Sequence, residues 1–346
     1  MADVEISFFD ERKLPAVITP AAPDLDAAAW CAGNKTFIRS LLSEHGAVLL
    51  RGFQTGGAAS FERVLINATS DKSVVYRDKA TPRTHLTGNV FSSTDYDPAR
   101  TIFPHNENSY CTSWPLYVAF YAEVPPRADG ATPLVDCRKV YQQIPELVRK
   151  RFEALGVLYC RVHGHGLGMS WKDSYSVSTV EELQRYCRDN VMDLTVQPDG
   201  VARVKYRRWA SITHPVTSEK AWFNHGVFFN VSALEPELKE FFLSCYDETE
   251  LPYNTFYGNG ARIEPEIIEQ LHAIYMRNLT RFDYRQGDVL IVDNMLVAHG
   301  RETYSGDRKI CVSMTEQVWA KDIPECREYV ATGAFSADAR ESGRLA

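Results

Sequence analysis

His105 and Glu107, one residue apart in Phe103-Pro104-His105-Asn106-Glu107-Asn108-Ser109-Tyr110, together with His299 far downstream, constrain this chain more than any other feature. Two imidazoles and one carboxylate on a single ion make a three-point facial site suited to non-heme iron(II), with three coordination positions left for a co-substrate and oxygen. In an extended segment, side chains two residues apart share a face, so His105 and Glu107 can converge while Asn106 points away. The third ligand must then come from a different strand. The pair alone is weak: with nine His and 45 acidic residues, roughly one His-x-Asp/Glu arises by chance.

Hydrophobic periodicity supplies a context for the three residues. Phe37, Ile38, Leu41 and Leu42 are at helical spacing within residues 35–44, and Gly46 then opens the short apolar run Ala47-Val48-Leu49-Leu50, a buried strand. Residues 117–124 and 132–135 read as strands joined by the turn Pro125-Pro126-Arg127-Ala128-Asp129-Gly130, and 192–196 against 201–206 as a pair turned at Pro198-Asp199-Gly200. Helices are expected over 140–155, 180–188 and 264–277, the last with Pro265 in its first turn. Strands over 289–293 and 310–315 place His299 in the loop between them, where functional residues tend to sit. The expected fold is mixed α+β, a double-stranded β-helix (jelly-roll) core with flanking helices. With no internal repeat or low-complexity block, one domain spans 1–346, its core at about 46–316 and its N- and C-terminal extensions loose.

Composition narrows the function classes. A net charge of −7 with scattered Lys and Arg offers no general attraction to nucleic acid or anionic lipid. No stretch approaches the roughly 18 apolar residues of a membrane span, and Met1-Ala2-Asp3-Val4-Glu5 lacks a basic segment followed by an apolar one. The expectation is a cytoplasmic protein with a small-molecule partner, its oligomeric state left open. Eight cysteines without any Cys-x-x-Cys read as buried thiols.

A keto acid that binds iron through two atoms carries a second carboxylate at its far end. Holding that group in a partly dry pocket takes a fork-shaped cation and a hydroxyl donor; Arg308 and Thr132 are the candidates. Further blocks accompany them: Ala80-Thr81-Pro82-Arg83-Thr84, Gly88-Asn89-Val90, Gly130-Ala131-Thr132-Pro133-Leu134-Val135-Asp136, Trp222-Phe223-Asn224, Tyr257-Gly258-Asn259-Gly260, and Asp293-Asn294 through His299-Gly300-Arg301 to Asp307-Arg308. In this order they resemble the TauD/TfdA branch of the iron(II)/2-oxoglutarate-dependent dioxygenases, most closely its SyrP-like and clavaminate-synthase-like members, from about Gly46 to Glu316.

The resemblance implies that His105, Glu107 and His299 bind Fe(II), and that Arg308 and Thr132 hold the distal carboxylate of 2-oxoglutarate. It implies O2 as the second co-substrate, succinate and carbon dioxide as products, and oxidation of an unactivated C–H bond. The carboxylate ligand is Glu, as in the clavaminate-synthase-like group; it is not Ala or Gly, which argues against a halogenase. Ala131 stands where these proteins usually have a second glycine, and His225 where Gln is more usual.

An amino-acid-like substrate needs a cation for its carboxylate and acceptors for its amine. Arg83, Asn89, Asn224, His225 and Tyr257 are the candidate substrate contacts. His163-Gly164-His165 is a rival metal pair, better read as a lid or substrate contact because no carboxylate follows at suitable spacing. Arg301 is either a second carboxylate binder or part of an ion pair that orders its loop. Asp293-Asn294 fit local backbone hydrogen bonding better than acid–base work. The expected reaction is hydroxylation of an amino acid or amino-acid-like unit in secondary metabolism, with desaturation or ring closure, including aziridine or epoxide formation, as alternatives. The substrate is either free or tethered to a carrier protein. A zinc hydrolase would use the same three ligands but leaves Arg308 and Thr132 without work, and an intact triad argues against a non-enzymatic binder.

Overall fold

The run Ala47–Leu50 forms a strand buried on both faces, which is why no polar residue interrupts it. It pairs parallel with Ala16–Pro20 and antiparallel with Val289–Asp293, another wholly buried strand. In this computed structural model, which describes residues 3–70, 74, 84–93, 96–164 and 168–331, these strands belong to an eight-stranded major sheet. Its order is Val4–Ser7, Ala16–Pro20, Ala47–Leu50, Val289–Asp293, Ser113–Val124, Lys309–Trp319, Val90–Ser92, His85–Thr87. A four-stranded minor sheet follows the order Leu279–Thr280, Leu134–Asp136, Val297–Arg301, Ile102–His105.

Alternation along Ser113–Val124 builds both sides of the core. Val118, Phe120 and Ala122 join Leu290, Val292, Ile310, Val312 and Met314 in one apolar cluster with Leu134, Leu296 and Val297 from the minor-sheet side. Tyr117, Ala119 and Tyr121 point the other way, into the cluster that holds the helices Ala27–His45 and Ala58–Ala68. Two sheets enclosing one apolar layer, with helices outside, are the jelly-roll core expected of the sequence.

The structure differs from the sequence reading at several points. The N-terminal segment is not loose: Val17 and Ile18 are buried and Ala16–Pro20 is an inner strand of the major sheet. The first long helix begins at Ala27, where Asp26 accepts a hydrogen bond from the Ala29 amide (2.7 Å), and ends at Gly46 in the left-handed conformation (φ +79°). There a Cβ would collide with Val297, so glycine lets the helix end approach the strand that carries His299. The helix expected over 140–155 is two, Cys137–Gln143 and Glu146–Leu155. Pro145 forces Ile144 into an extended conformation (φ −68°, ψ 127°) and cannot donate to the preceding turn.

Val157–His163, which periodicity does not single out, is an inner strand of a further sheet ordered Asp193–Val196, Ala202–Arg208, Val157–His163, Asn254–Tyr257. Seven of the eight thiols are buried, and burial pushes those of Cys31 and Cys137 up to about 12. No helix among the described residues is long and apolar enough to cross a membrane. The C-terminal residues 332–346 lie outside the described residues.

Candidate metal centre

His299 sits within the strand Val297–Arg301 and not in a loop, because that segment fills the gap between two minor-sheet strands. In the antiparallel register it stands opposite His105, the last residue of Ile102–His105, and opposite Leu134 on its other side. The two imidazoles lie 4.7 Å apart, centroid to centroid. Gly300 permits this approach: a Cβ there would lie 2.6 Å from the Ile102 carbonyl oxygen and 3.2 Å from the Pro104 nitrogen.

Glu107 follows on a turn in which the Ser109 amide donates to the Asn106 carbonyl (3.2 Å). The turn is fastened by Asn294, which is wholly buried. Its Oδ1 accepts from the Glu107 amide (2.7 Å), and its Nδ2 donates to the carbonyls of Glu107 and Pro115 (both 2.9 Å). Asn106 completes the clasp by donating to the Asn294 carbonyl (2.8 Å). Asp293 Oδ1 acts locally, accepting from the amides of Met295 and Leu296 (3.0 and 3.2 Å), as the sequence suggests for this pair. Both residues also span to segments remote in sequence, Asp293 through Oδ2, 3.2 Å from His214 Nε2, and Asn294 through the clasp on Glu107 and Pro115.

One ligand atom from each of His105, Glu107 and His299 lies within 4.8 Å of the others, and this is the metal-capable group of three found among the described residues. His105 Nδ1 is 2.9 Å from the Phe103 carbonyl; a carbonyl can only accept, so Nδ1 carries the proton and Nε2 keeps its lone pair for an ion. The donor set of two neutral imidazoles and one carboxylate fits iron(II). Phe228 stacks on His105 (5.1 Å, 13°) and Phe120 meets His299 edge-on (4.9 Å), so an aromatic ring lies against each imidazole. Phe228 is not singled out by the sequence; its nearness to His225 was the available signal.

His105 and His299 border a cavity that also reaches Ser93, Phe120, Thr132 and Arg308. Thr132 is buried and its Oγ1 accepts a hydrogen bond from the Tyr284 hydroxyl (3.1 Å). Arg308, just ahead of the strand Lys309–Trp319, donates from Nε to the Gly130 carbonyl and from Nη1 to Ser93 Oγ, both at 3.1 Å. Burial pulls its pKa below the usual arginine value, an imbalance that an anionic ligand would relieve. Arg301 lines the same cavity and donates to the backbone carbonyls of Tyr96, Asp97 and Arg100 (2.6–2.9 Å), so it orders that loop, one of the two roles its spacing allows.

The substrate-side candidates scatter. Arg83 and His165 lie outside the described residues. The half-buried Asn89 donates from its amide to Glu62 (2.9 Å). Asn224 donates to the Ala210 carbonyl (2.6 Å) and accepts from the Gly226 amide (2.7 Å), bonds that shape its own turn. The Tyr257 hydroxyl donates to Glu264 (2.9 Å) while Arg151 covers its ring (3.9 Å). His163 is buried, with Nδ1 2.9 Å from the Met169 carbonyl, and burial, reinforced by Arg161, holds its pKa down to about 3.

Among the described candidates His225 approaches the triad, its ring 5.6 Å from that of His105. Ser109 Oγ is 2.7 Å from its Nδ1, and its backbone amide donates to the Tyr159 hydroxyl (2.9 Å). Burial first, then the neighbouring His105 and Arg161, hold its pKa well below the ordinary histidine value.

Comparison with known proteins bears on this arrangement. Residues 12–314 match the family model described as taurine catabolism dioxygenase TauD, TfdA family. The chain is 30% identical over 282 residues to the dapdiamide synthesis protein DdaC of Enterobacter agglomerans, covering 82% of this chain and 85% of that protein. It is 28% identical over 326 residues to a clavaminate synthase-like protein of Arabidopsis thaliana, covering 88% and 94%. Among solved structures, AAD-2 in complex with Mn(II) and N-oxalylglycine superposes with a TM-score of 0.53 at 12% identity, covering 90% of this chain and 96% of that one. PvcB, an Fe, alpha-ketoglutarate dependent oxygenase from an isonitrile synthetic pathway, gives 0.52 at 15%, covering 90% and 91%. These structural likenesses concern the fold.

Proposed function

We propose, since the chain belongs to the taurine catabolism dioxygenase TauD, TfdA family, that it oxidises an unactivated C–H bond of an amino acid or amino-acid-like substrate in secondary metabolism, by default to the alcohol. It is a non-heme iron(II)/2-oxoglutarate-dependent dioxygenase, with Fe(II) as cofactor and 2-oxoglutarate and O2 as co-substrates. The observation that carries the reading is the convergence of His105, Glu107 and His299, with both imidazoles lining a cavity that Thr132 and Arg308 also line. The relative DdaC is named for dapdiamide synthesis, which supports a biosynthetic role.

When bound, iron(II) with 2-oxoglutarate and oxygen supplies oxidative decarboxylation, yielding succinate, carbon dioxide and the oxidising power for the C–H bond. His105, Glu107 and His299 would hold the metal. Phe103 fixes the His105 tautomer and the Asn294 clasp fixes Glu107, so the ligand atoms are placed before the metal arrives. Arg308 and Thr132 would take the distal carboxylate of 2-oxoglutarate. Two guanidinium nitrogens are already held by Gly130 and Ser93, so little side-chain freedom is lost on binding. Phe120 and Phe228 would keep water from the reacting end.

Anaerobic addition of iron(II) and 2-oxoglutarate should produce a weak visible absorption band. Admitting oxygen with a panel of amino acids and N-acyl amino acids should then release succinate and add sixteen mass units to a panel member (the oxygen atom). Neither band nor succinate would sink the reading. Arg308→Ala should raise the KM for 2-oxoglutarate by roughly 10- to 100-fold, the value of hydrogen bonds to a charged group, with a smaller change in kcat. An unchanged KM would remove Arg308 from that role.

A further inference from the structure

Five arginines are buried among the described residues, and four have the partners that a buried cation requires. Arg51 is bidentate to Asp288 and Arg138 to Asp136. Arg208 donates to the carbonyls of Tyr110, Arg207 and Asn190, and Arg301 to the three already described.

Arg161 differs. It is 3% exposed, yet no carboxylate of the described residues pairs with it. Its Nη2 donates to the Tyr253 hydroxyl (3.0 Å) and, at 3.4 Å, to Ser174 Oγ, while Nε finds no partner among the described residues. The rings of Tyr175 and Tyr253 lie 5.3 and 4.8 Å from the guanidinium carbon. The hydroxyl of Tyr206, close enough to influence Arg161 electrostatically, is buried and also without a partner among the described residues. A guanidinium boxed by aromatic rings, beside a second unused donor, lacks an anion that can accept from both.

The box adjoins the metal centre. On the strand Val157–His163, alternation puts Tyr159, Arg161 and His163 on one face, and the Tyr159 hydroxyl accepts from the His225 amide. From the metal ligand outward, rings follow in contact: His105 to His225 at 5.6 Å, His225 to Phe229 at 4.8 Å, Phe229 to Tyr253 at 4.7 Å. Arg161 is therefore reached from His105 through His225, Phe229 and Tyr253, none of which lines the cavity that Arg308 and Thr132 share with His105.

We propose that Arg161, with Tyr206 as second donor, docks a carboxylate of the organic substrate, several bonds removed from the carbon that reacts. The proposal rests on the oxygenase reading above and deepens it by naming the substrate class: a free carboxylic acid. An aminoacyl unit tethered as a thioester has given up its α-carboxylate and would leave Arg161 unpaired unless its side chain carries another, so the site selects a substrate that keeps a free carboxylate.

The test uses the full chain loaded anaerobically with iron(II) and 2-oxoglutarate. The twenty free L-amino acids, their N-acetyl derivatives and the matching C-terminal amides are titrated, following the visible band and tryptophan fluorescence. At least one acid should bind about tenfold or more tightly than its amide. Arg161→Gln should lose that preference with 2-oxoglutarate binding retained, and Arg161→Lys should recover part of it. Tyr206→Phe, the milder change should Arg161→Gln fail to fold, should weaken the acid and leave the amide unaffected. A wild-type enzyme with the band but no preference for any acid, or a variant that keeps the preference, overturns the assignment of Arg161 alone. Absence of the band overturns the oxygenase reading and this proposal with it.

Discussion

Replacing His299 with Ala should give a folded protein that no longer retains iron(II) on desalting, with succinate formation at the level of metal-free enzyme. His299 is a central residue of its strand, paired through its backbone to Leu134 on one side and His105 on the other, and those bonds survive truncation of the side chain. What disappears is one of three ligand atoms in a group that spans 4.8 Å. The remaining imidazole and carboxylate would leave four positions for water, too few protein donors to compete with solvent for a labile divalent ion. The lost ring contacts with Phe120 and His105 (4.9 and 4.7 Å) should lower stability by a few kcal/mol at most, on the order of 2–4 for truncating a buried ring. Metal analysis after anaerobic desalting separates the two effects from a thermal melt. A variant that keeps one iron per chain would show that His299 is not a ligand; one that fails to melt cooperatively would make its role structural.

The triad was legible because the chemistry of iron(II) limits which residue types can serve and strand alternation limits where they stand. The position of His299 within a strand was not, since Val297-Ala298-His299-Gly300-Arg301 is short and carries a glycine, which reads as a loop until the close approach to Ile102 is seen. The helix over 140–155 failed for a local reason that was readable, the conformational restriction Pro145 places on Ile144. The substrate side was harder to read. Asn89, Asn224 and Tyr257 are polar residues in motif blocks, but their partners are Glu62, Ala210, Gly226 and Glu264, and whether a polar side chain is already satisfied depends on such tertiary neighbours. Arg161 escaped notice for the converse reason: its distinguishing property is the lack of a carboxylate partner among the described residues, and periodicity carries no information on that.

Asn294→Ala should be the most damaging substitution outside the triad, lowering stability by on the order of 3–9 kcal/mol and weakening iron binding by roughly 10- to 100-fold. The side chain accepts one hydrogen bond and donates two, and all three partners are backbone groups of Glu107 and Pro115. With Asn294 wholly buried and Glu107 5% exposed, water cannot replace them, so each deserted group costs about 1–3 kcal/mol. That loss is large against the 5–15 kcal/mol that holds an ordinary domain together. The effect on the metal follows separately, because the same bonds determine where the Glu107 backbone sits relative to His105. Asn294→Asp distinguishes volume from hydrogen bonding: it keeps the shape and the acceptor for the Glu107 amide, but turns a carboxylate oxygen toward two carbonyls that need a donor. It should therefore be at least as destabilising as Ala, whereas a packing role would make it nearly harmless. Urea midpoints and anaerobic iron titrations of both variants read these effects apart. An Asn294→Asp protein with the wild-type midpoint would mean that the clasp is ornamental, and that the His105 strand alone places Glu107.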